Sequence, residues 1–117
     1  MGAESLAPTV LLVDDDDLDR FLVRLVLDAA GYRVLEAPTA EAALDLMGIA
    51  GHPDALIIDY VMPGMDGAEF CRKIRTLAAL QHVPIVMRTG LEDPRIDALA
   101  LEAGANRLLA KSGDPSP

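Results

Sequence analysis

The sequence predicts an α/β domain: a doubly wound parallel sheet of five strands with helices over both faces. Three observations carry that expectation. Apolar runs of strand length recur five times, stretches with helical spacing of apolar residues lie between them, and the runs VLLV (Val10–Val13) and ALII (Ala55–Ile58) pass directly into aspartates. A short apolar run bounded by turn residues reads as a buried strand, and strands alternating with helices wind by right-handed crossovers into a parallel sheet.

Strand one spans Thr9 to Val13. The following helix carries Leu18, Phe21, Leu22, Leu25, Val26 and Ala29 on one stripe, with Asp16 or Asp17 as its cap and Gly31 as its stop. Strand two, Tyr32–Glu36, leads through Pro38 to Thr39, the N-cap of a helix with Ala43, Leu44 and Met47 on one face and Gly48 and Gly51 at its end. Strand three, Ala55–Ile58, delivers Asp59 into a loop built on Pro63, Gly64, Asp66 and Gly67. Asp66 and Glu69 have the spacing of a capping box for a helix using Phe70, Ile74 and Leu77. Strand four is Val83–Met87; Asp93 before Pro94 starts a helix with Ile96, Leu99, Ala100 and Ala103 buried and Gly104 closing it; strand five is Arg107–Ala110.

The expected organisation is a tail over 1–8, one domain over 9–111 and a short tail over 112–117. The last segment, SGDPSP, is too short and too rich in Gly and Pro for a fifth helix, so one sheet face beside strand five should lack a cover. An apolar strip exposed there, at Leu108 or Leu109, would mark a site for a partner or a second copy of the chain.

A chain of 117 residues suits a single domain that buries roughly 60–70% of its unfolded surface. Its 51% hydrophobic and 25% charged residues are globular composition. The net charge of −9, densest at Asp14–Asp19, argues against direct nucleic-acid binding and favours cations and basic partner surfaces. The lone Cys71 excludes an internal disulfide and fits core packing in a reducing compartment. With no signal-peptide pattern, no bilayer-spanning run, and Leu6 where a myristoylation pattern wants Ser or Thr, a cytoplasmic chain is expected.

The functional crevice of a doubly wound sheet lies outside the carboxyl ends of its strands. Asp14 and Asp15 follow strand one, Asp59 follows strand three, Thr89 strand four and Lys111 strand five. Carboxylates brought that close repel unless a cation sits among them, and an all-oxygen ligand set suits Mg²⁺, with Mn²⁺ as a substitute. Metal, carboxylate, hydroxyl and ammonium are the parts needed to receive a phosphoryl group. Asp59 would be the nucleophile and form an acyl phosphate; the ion and Lys111 would neutralise the equatorial oxygens and Thr89 would donate a hydrogen bond.

In combination, VDDD at strand one, DYVMPGMDG at strand three, Thr89 after PIVMR and Lys111 after AGANRLLA resemble the receiver domain of bacterial two-component response regulators, over Val10 to Lys111. The resemblance implies the flavodoxin-like strand order 2-1-3-4-5. It implies Asp14 and Asp15 as the metal-binding pair, Asp59 as phosphoacceptor, the Val61 backbone carbonyl as a further metal ligand, Thr89 as switch hydroxyl and Lys111 as phosphate-binding lysine. The phosphoryl group would come from a sensor histidine kinase or a histidine phosphotransfer protein. Self-phosphorylation and self-dephosphorylation would be its only chemistry, so the chain is expected not to be an enzyme. Val61 and Leu91 match positions flanking the route of hydrolytic water, and neither side chain can hydrogen-bond it, so self-dephosphorylation is expected to be slow.

Three positions depart from the family pattern. Ser112 stands where Pro usually follows the lysine, Leu108 where Tyr or Phe commonly acts as a rotating switch, and Arg88 where an apolar residue is commoner. Arg88 is expected to contact either a partner or the acidic edge. Singly, an acidic run is often only a solvated helix start, Thr89 a strand-end residue and Lys111 a surface charge; position gives them weight. His52 and His82 fall at the far end of the sheet from the crevice. A haloacid-dehalogenase-type enzyme is disfavoured by Leu18 in its motif and by the short chain, and an FMN carrier would place amides and hydroxyls, not carboxylates, at the phosphate. The remaining alternative is a pseudo-receiver, an interaction module working without phosphorylation.

Overall fold

The computed structural model describes residues 7–111. Five strands, β1 (Thr9–Val13), β2 (Arg33–Ala37), β3 (Ala55–Asp59), β4 (Ile85–Thr89) and β5 (Arg107–Ala110), form one sheet in the order β2-β1-β3-β4-β5, with every pairing parallel. The helices between them are α1 (Asp17–Ala29), α2 (Ala40–Ala50), α3 (Gly67–Arg75) and α4 (Pro94–Ala103), with a 3₁₀ turn at Ala78–Leu80. This is the flavodoxin-like architecture expected, and among the described residues no helix follows β5. The terminal segment and Ser112 lie outside the described residues.

Local chemistry sets the helix starts. The Asp16 side chain accepts from the Asp19 N–H, Thr39 from Ala42, and Asp93 from Arg95 ahead of Pro94. Asp66 and Glu69 form the reciprocal capping box their spacing suggested. Gly104 closes α4 at φ 111°, a left-handed conformation that disfavours a side chain. One side chain then ties three segments together: the Arg75 guanidinium donates to the carbonyls of Leu80, Val83 and Gly104.

Because side chains alternate along each strand, the sheet has two unlike faces. On one, Leu11, Val13, Leu56, Ile58, Ile85 and Met87 are buried against Ala40, Ala43 and Met47 of α2, Phe70 and Ile74 of α3, and Ala100 and Ala103 of α4. On the other, among the described residues, lies α1 alone: Arg20 and Arg24 both reach Glu36, whose register partner on β1 is Leu12. Near β5 nothing else among the described residues covers that second face, with Ile57 and Val86 half-buried and Leu109 exposed.

Several boundaries and faces differ from the sequence reading. The α1 stripe is not core: Leu18, Phe21, Leu22, Leu25 and Val26 are all exposed, and the half-buried apolar residues are Val23 and Leu27. Helix α1 therefore has two apolar strips, and the more obvious one has no neighbour among the described residues. Strand β4 begins two residues later than expected, because the Val83 carbonyl is taken by Arg75 and its N–H by Leu80. Tyr32 lies in the turn that closes α1, its N–H donating to the Leu27 carbonyl, so β2 starts at Arg33. Helix α2 runs through Gly48 to Ala50, Leu77 falls outside α3, and Leu99 is exposed. Among the described residues no helix is long and apolar enough to cross a membrane.

Candidate functional site

The two central strands, β1 and β3, end side by side, and their last turns carry the acidic groups. Asp14 is fixed just past β1 by its N–H donating to the Ala37 carbonyl, while its Oδ1 accepts the Asp16 N–H at 2.9 Å. Asp59 is the last residue of β3, and its Oδ1 faces the Val61 N–H at 3.4 Å. Both are buried, whereas Asp15 is exposed at the rim. One carboxylate oxygen from each of Asp14, Asp15 and Asp59 lies within 4.8 Å of the others. Gly67 lets the loop fold back on this strand end: a Cβ there would stand 2.4 Å from the Asp59 carbonyl oxygen.

Lys111 reaches this cluster because the β4–β5 ladder continues past Ala110, with the Lys111 N–H donating to the Thr89 carbonyl at 2.7 Å. Its Nζ donates to Asp59 Oδ2 at 2.9 Å and Asp19 Oδ2 at 3.1 Å, and stands 3.3 Å from Asp14 Oδ2. Thr89 is buried one strand away, and its Oγ1 accepts the Leu91 N–H at 3.0 Å rather than bonding to Asp59. Thr89 lines a cleft of about 480 Å³ together with Leu91, Pro94, Leu108 and Ala110.

One group that bears on the site, Asp19, was not assigned to it from sequence, and a second, Arg88, was expected against either a partner or the acidic edge. Asp19, on the first turn of α1, shares the Lys111 ammonium; its only sequence signal is its place in the acidic run after β1. Arg88, in register with Asp59 on β4, turns toward the acidic edge, with Nη1 3.9 Å from Asp14 Oδ2. His52 and His82 are exposed, beside the starts of β3 and β4, away from this end.

Burial raises the Asp59 carboxyl to about 6, opposed by the Lys111 hydrogen bond and reinforced by the charge of Asp14. Burial alone would lower the Lys111 ammonium, but its bonds to Asp59 and Asp19 and the nearby Asp14 charge outweigh that and push it up. The result is a nucleophile-sized carboxylate held against a permanent cation. A hard divalent ion fits the donor set: three convergent carboxylates, hydrated on the Asp15 side, with no sulfur or nitrogen among them.

Over residues 10–116 the sequence matches the response regulator receiver domain. The chain belongs to that family. The receiver is similar to the two-component response regulator ORR6 of Oryza sativa, 34% identical over 109 residues, which are 92% of this chain and 64% of that protein. It is also similar to the transcriptional regulatory protein AfsQ1 of Streptomyces coelicolor, 36% identical over 104 residues, 89% of this chain and 44% of that one. The receiver thus spans about two thirds or less of these two relatives. Among solved structures, the chemotaxis protein CheY4 of Vibrio cholerae superposes with a TM-score of 0.85 at 32% identity, covering 93% of this chain and 90% of that one.

Proposed function

We propose that this receiver takes a phosphoryl group onto Asp59 from the phosphohistidine of a sensor histidine kinase or a histidine phosphotransfer protein, and that the added charge switches its protein interactions. The observation that carries this reading is the buried Asp59 carboxylate, bonded at 2.9 Å to Lys111 and converging with Asp14 and Asp15. In the transfer an Asp59 oxygen attacks phosphorus, the P–N bond to the donor histidine breaks, and the imidazole leaves with the electron pair. An ionised Asp59 has no proton to lose, so no general base is required.

The remaining residues position and neutralise. Lys111 already lies against Asp59 Oδ2, so its ammonium is placed to follow the negative charge onto the phosphoryl oxygens. Mg²⁺, or Mn²⁺ in its place, would be held by Asp14, Asp15, Asp59 and the Val61 carbonyl, and would supply charge neutralisation on the phosphoryl oxygens. Thr89 Oγ1 accepts from the Leu91 N–H, which leaves the hydroxyl hydrogen to donate to the phosphoryl group, and drawing Thr89 toward that group carries the bonded Leu91 and the β4–α4 loop with it. That loop lines the cleft beside Leu108, so the phosphoryl charge is read as a redistribution of loop conformations, with coupling of about 1–3 kcal/mol.

Self-phosphorylation and self-dephosphorylation are the only chemistry in this reading, the protein works in the cytoplasm, and nucleic acid and membrane are not direct partners. The exposed α1 strip and Leu109 supply a surface for a partner or a second copy. The second reading, a pseudo-receiver, is favoured by Leu108 where an aromatic switch would stand and by Ser112 where Pro usually follows the lysine. Intact mass after incubation with acetyl phosphate and Mg²⁺ separates the two. The phosphoacceptor reading expects one phosphoryl adduct, absent in Asp59→Asn; no adduct on a folded chain favours the pseudo-receiver.

A further inference from the structure

Arg88 is the one side chain at the acidic crevice whose contacts do not account for its burial. Among the described residues its Nη1 is the buried side-chain nitrogen or oxygen without a hydrogen-bond partner. The side chain is only 19% exposed, and the nearest opposite charge, Asp14 Oδ2, lies at 3.9 Å, too far for a hydrogen bond. A guanidinium held this way carries a desolvation cost offset only by charge attraction. The same Asp14 oxygen also faces Lys111 at 3.3 Å. Four carboxylates, Asp14, Asp15, Asp19 and Asp59, therefore meet two tethered cations.

We infer that Arg88 is a built-in competitor for the divalent-cation site: it holds Asp14 by charge in the metal-free protein and is repelled when an ion binds. The inference rests on the proposed metal site and concerns its strength. Arg88 leaves the crevice with two net negative charges, and a neutral side chain would leave three. Arg88 is thus a positioning residue acting through Asp14, one that sets how much divalent ion the receiver needs before Asp59 is ready.

The test is a Mn²⁺ titration followed by the electron paramagnetic resonance of the free ion, at pH 7.5, on the wild type, Arg88→Met and Arg88→Gln. Removing one positive charge at this range is expected to tighten Mn²⁺ binding about ten-fold in both variants. Thermal melts should show the converse. The variants should match or fall below the wild type without metal and gain more from saturating Mn²⁺. If Arg88→Met does not fold, Arg88→Gln carries the comparison. If neither does, ¹⁵N resonances of the Arg88 guanidinium in the wild type decide, and are expected to shift on adding diamagnetic Mg²⁺. Equal or weaker Mn²⁺ binding by the variants, or Arg88 resonances indifferent to Mg²⁺, overturns the inference and leaves the metal site standing. Absence of binding by every protein overturns the site and the inference together.

Discussion

Replacing Asp59 by Asn in metal-free protein should stabilise the fold, although it removes the residue on which the proposed chemistry depends. The folded-state carboxyl is raised from 3.8 to about 6, chiefly by burial. A raised pKa means the native state binds more protons than the unfolded chain between those two values. Stability is therefore full below about pH 4, declines as pH rises through about 6, and stays reduced at pH 7. At about 1.36 kcal/mol per pH unit the deficit is about 3 kcal/mol. That deficit already nets the Lys111 bond against burial, so a neutral Asn in place of the carboxylate should gain up to about 3 kcal/mol. For a chain of this length, unfolding entropy near roughly 0.25 kcal/mol/K converts that into a rise of up to about 12 °C in Tm. Melts in EDTA at pH 7 and pH 4 provide the assay, and the gain should shrink to within about 1 kcal/mol at the lower pH. Millimolar Mg²⁺ should narrow the difference at pH 7, because the wild type alone has the full carboxylate set and gains stability by binding. An Asn variant that melts at or below the wild type at pH 7 without divalent ion would refute the claim that burial strains this carboxylate, as would a gain independent of pH.

Two other substitutions probe the loop and the phosphate route. Gly67→Ala drives a Cβ to 2.4 Å from the Asp59 carbonyl oxygen and 2.9 Å from Tyr60 Cα, both backbone, so a loss of about 3 kcal/mol in urea unfolding is expected. Gly48→Ala, inside α2 with open space around its Cβ, should instead gain about 0.5–1 kcal/mol. Val61→Asn and Leu91→Glu, at exposed rim positions, should leave stability within about 0.5 kcal/mol and shorten the lifetime of the phosphoryl adduct. An unchanged lifetime in both would remove the explanation offered for slow self-dephosphorylation.

The sheet was legible because its evidence is local: VLLV, buried on both faces, and ALII, buried on one and half-buried on the other, are apolar throughout, and each runs into carboxylates. Capping residues marked all four helix starts for the same reason, with Asp16 rather than Asp17 the cap of α1. Helix α1 was misread because its periodicity contains two strips, and periodicity cannot say which one faces the sheet; the partly buried contacts of Arg20 and Arg24 with Glu36 mark the inward side, and they depend on tertiary structure. Strand β4 was placed early because Val83 has a strand former's side chain but spends its backbone groups on Arg75 and Leu80. At the site, Asp14, Asp15, Asp59 and Lys111 converge as their strand-end positions implied. Thr89 stands a strand away with its oxygen accepting from Leu91, and the share of Lys111 held by Asp19 comes from how α1 leans over the crevice, which no local pattern encodes.

The most direct test of the account is the mass of the intact chain after incubation with acetyl phosphate, with and without Mg²⁺, for the wild type, Asp59→Asn and Lys111→Ala. The account predicts one phosphoryl adduct on the wild type that requires the metal, is absent in Asp59→Asn and is much reduced in Lys111→Ala. An adduct that persists in Asp59→Asn, or none on a wild-type chain shown to bind Mg²⁺, would contradict it.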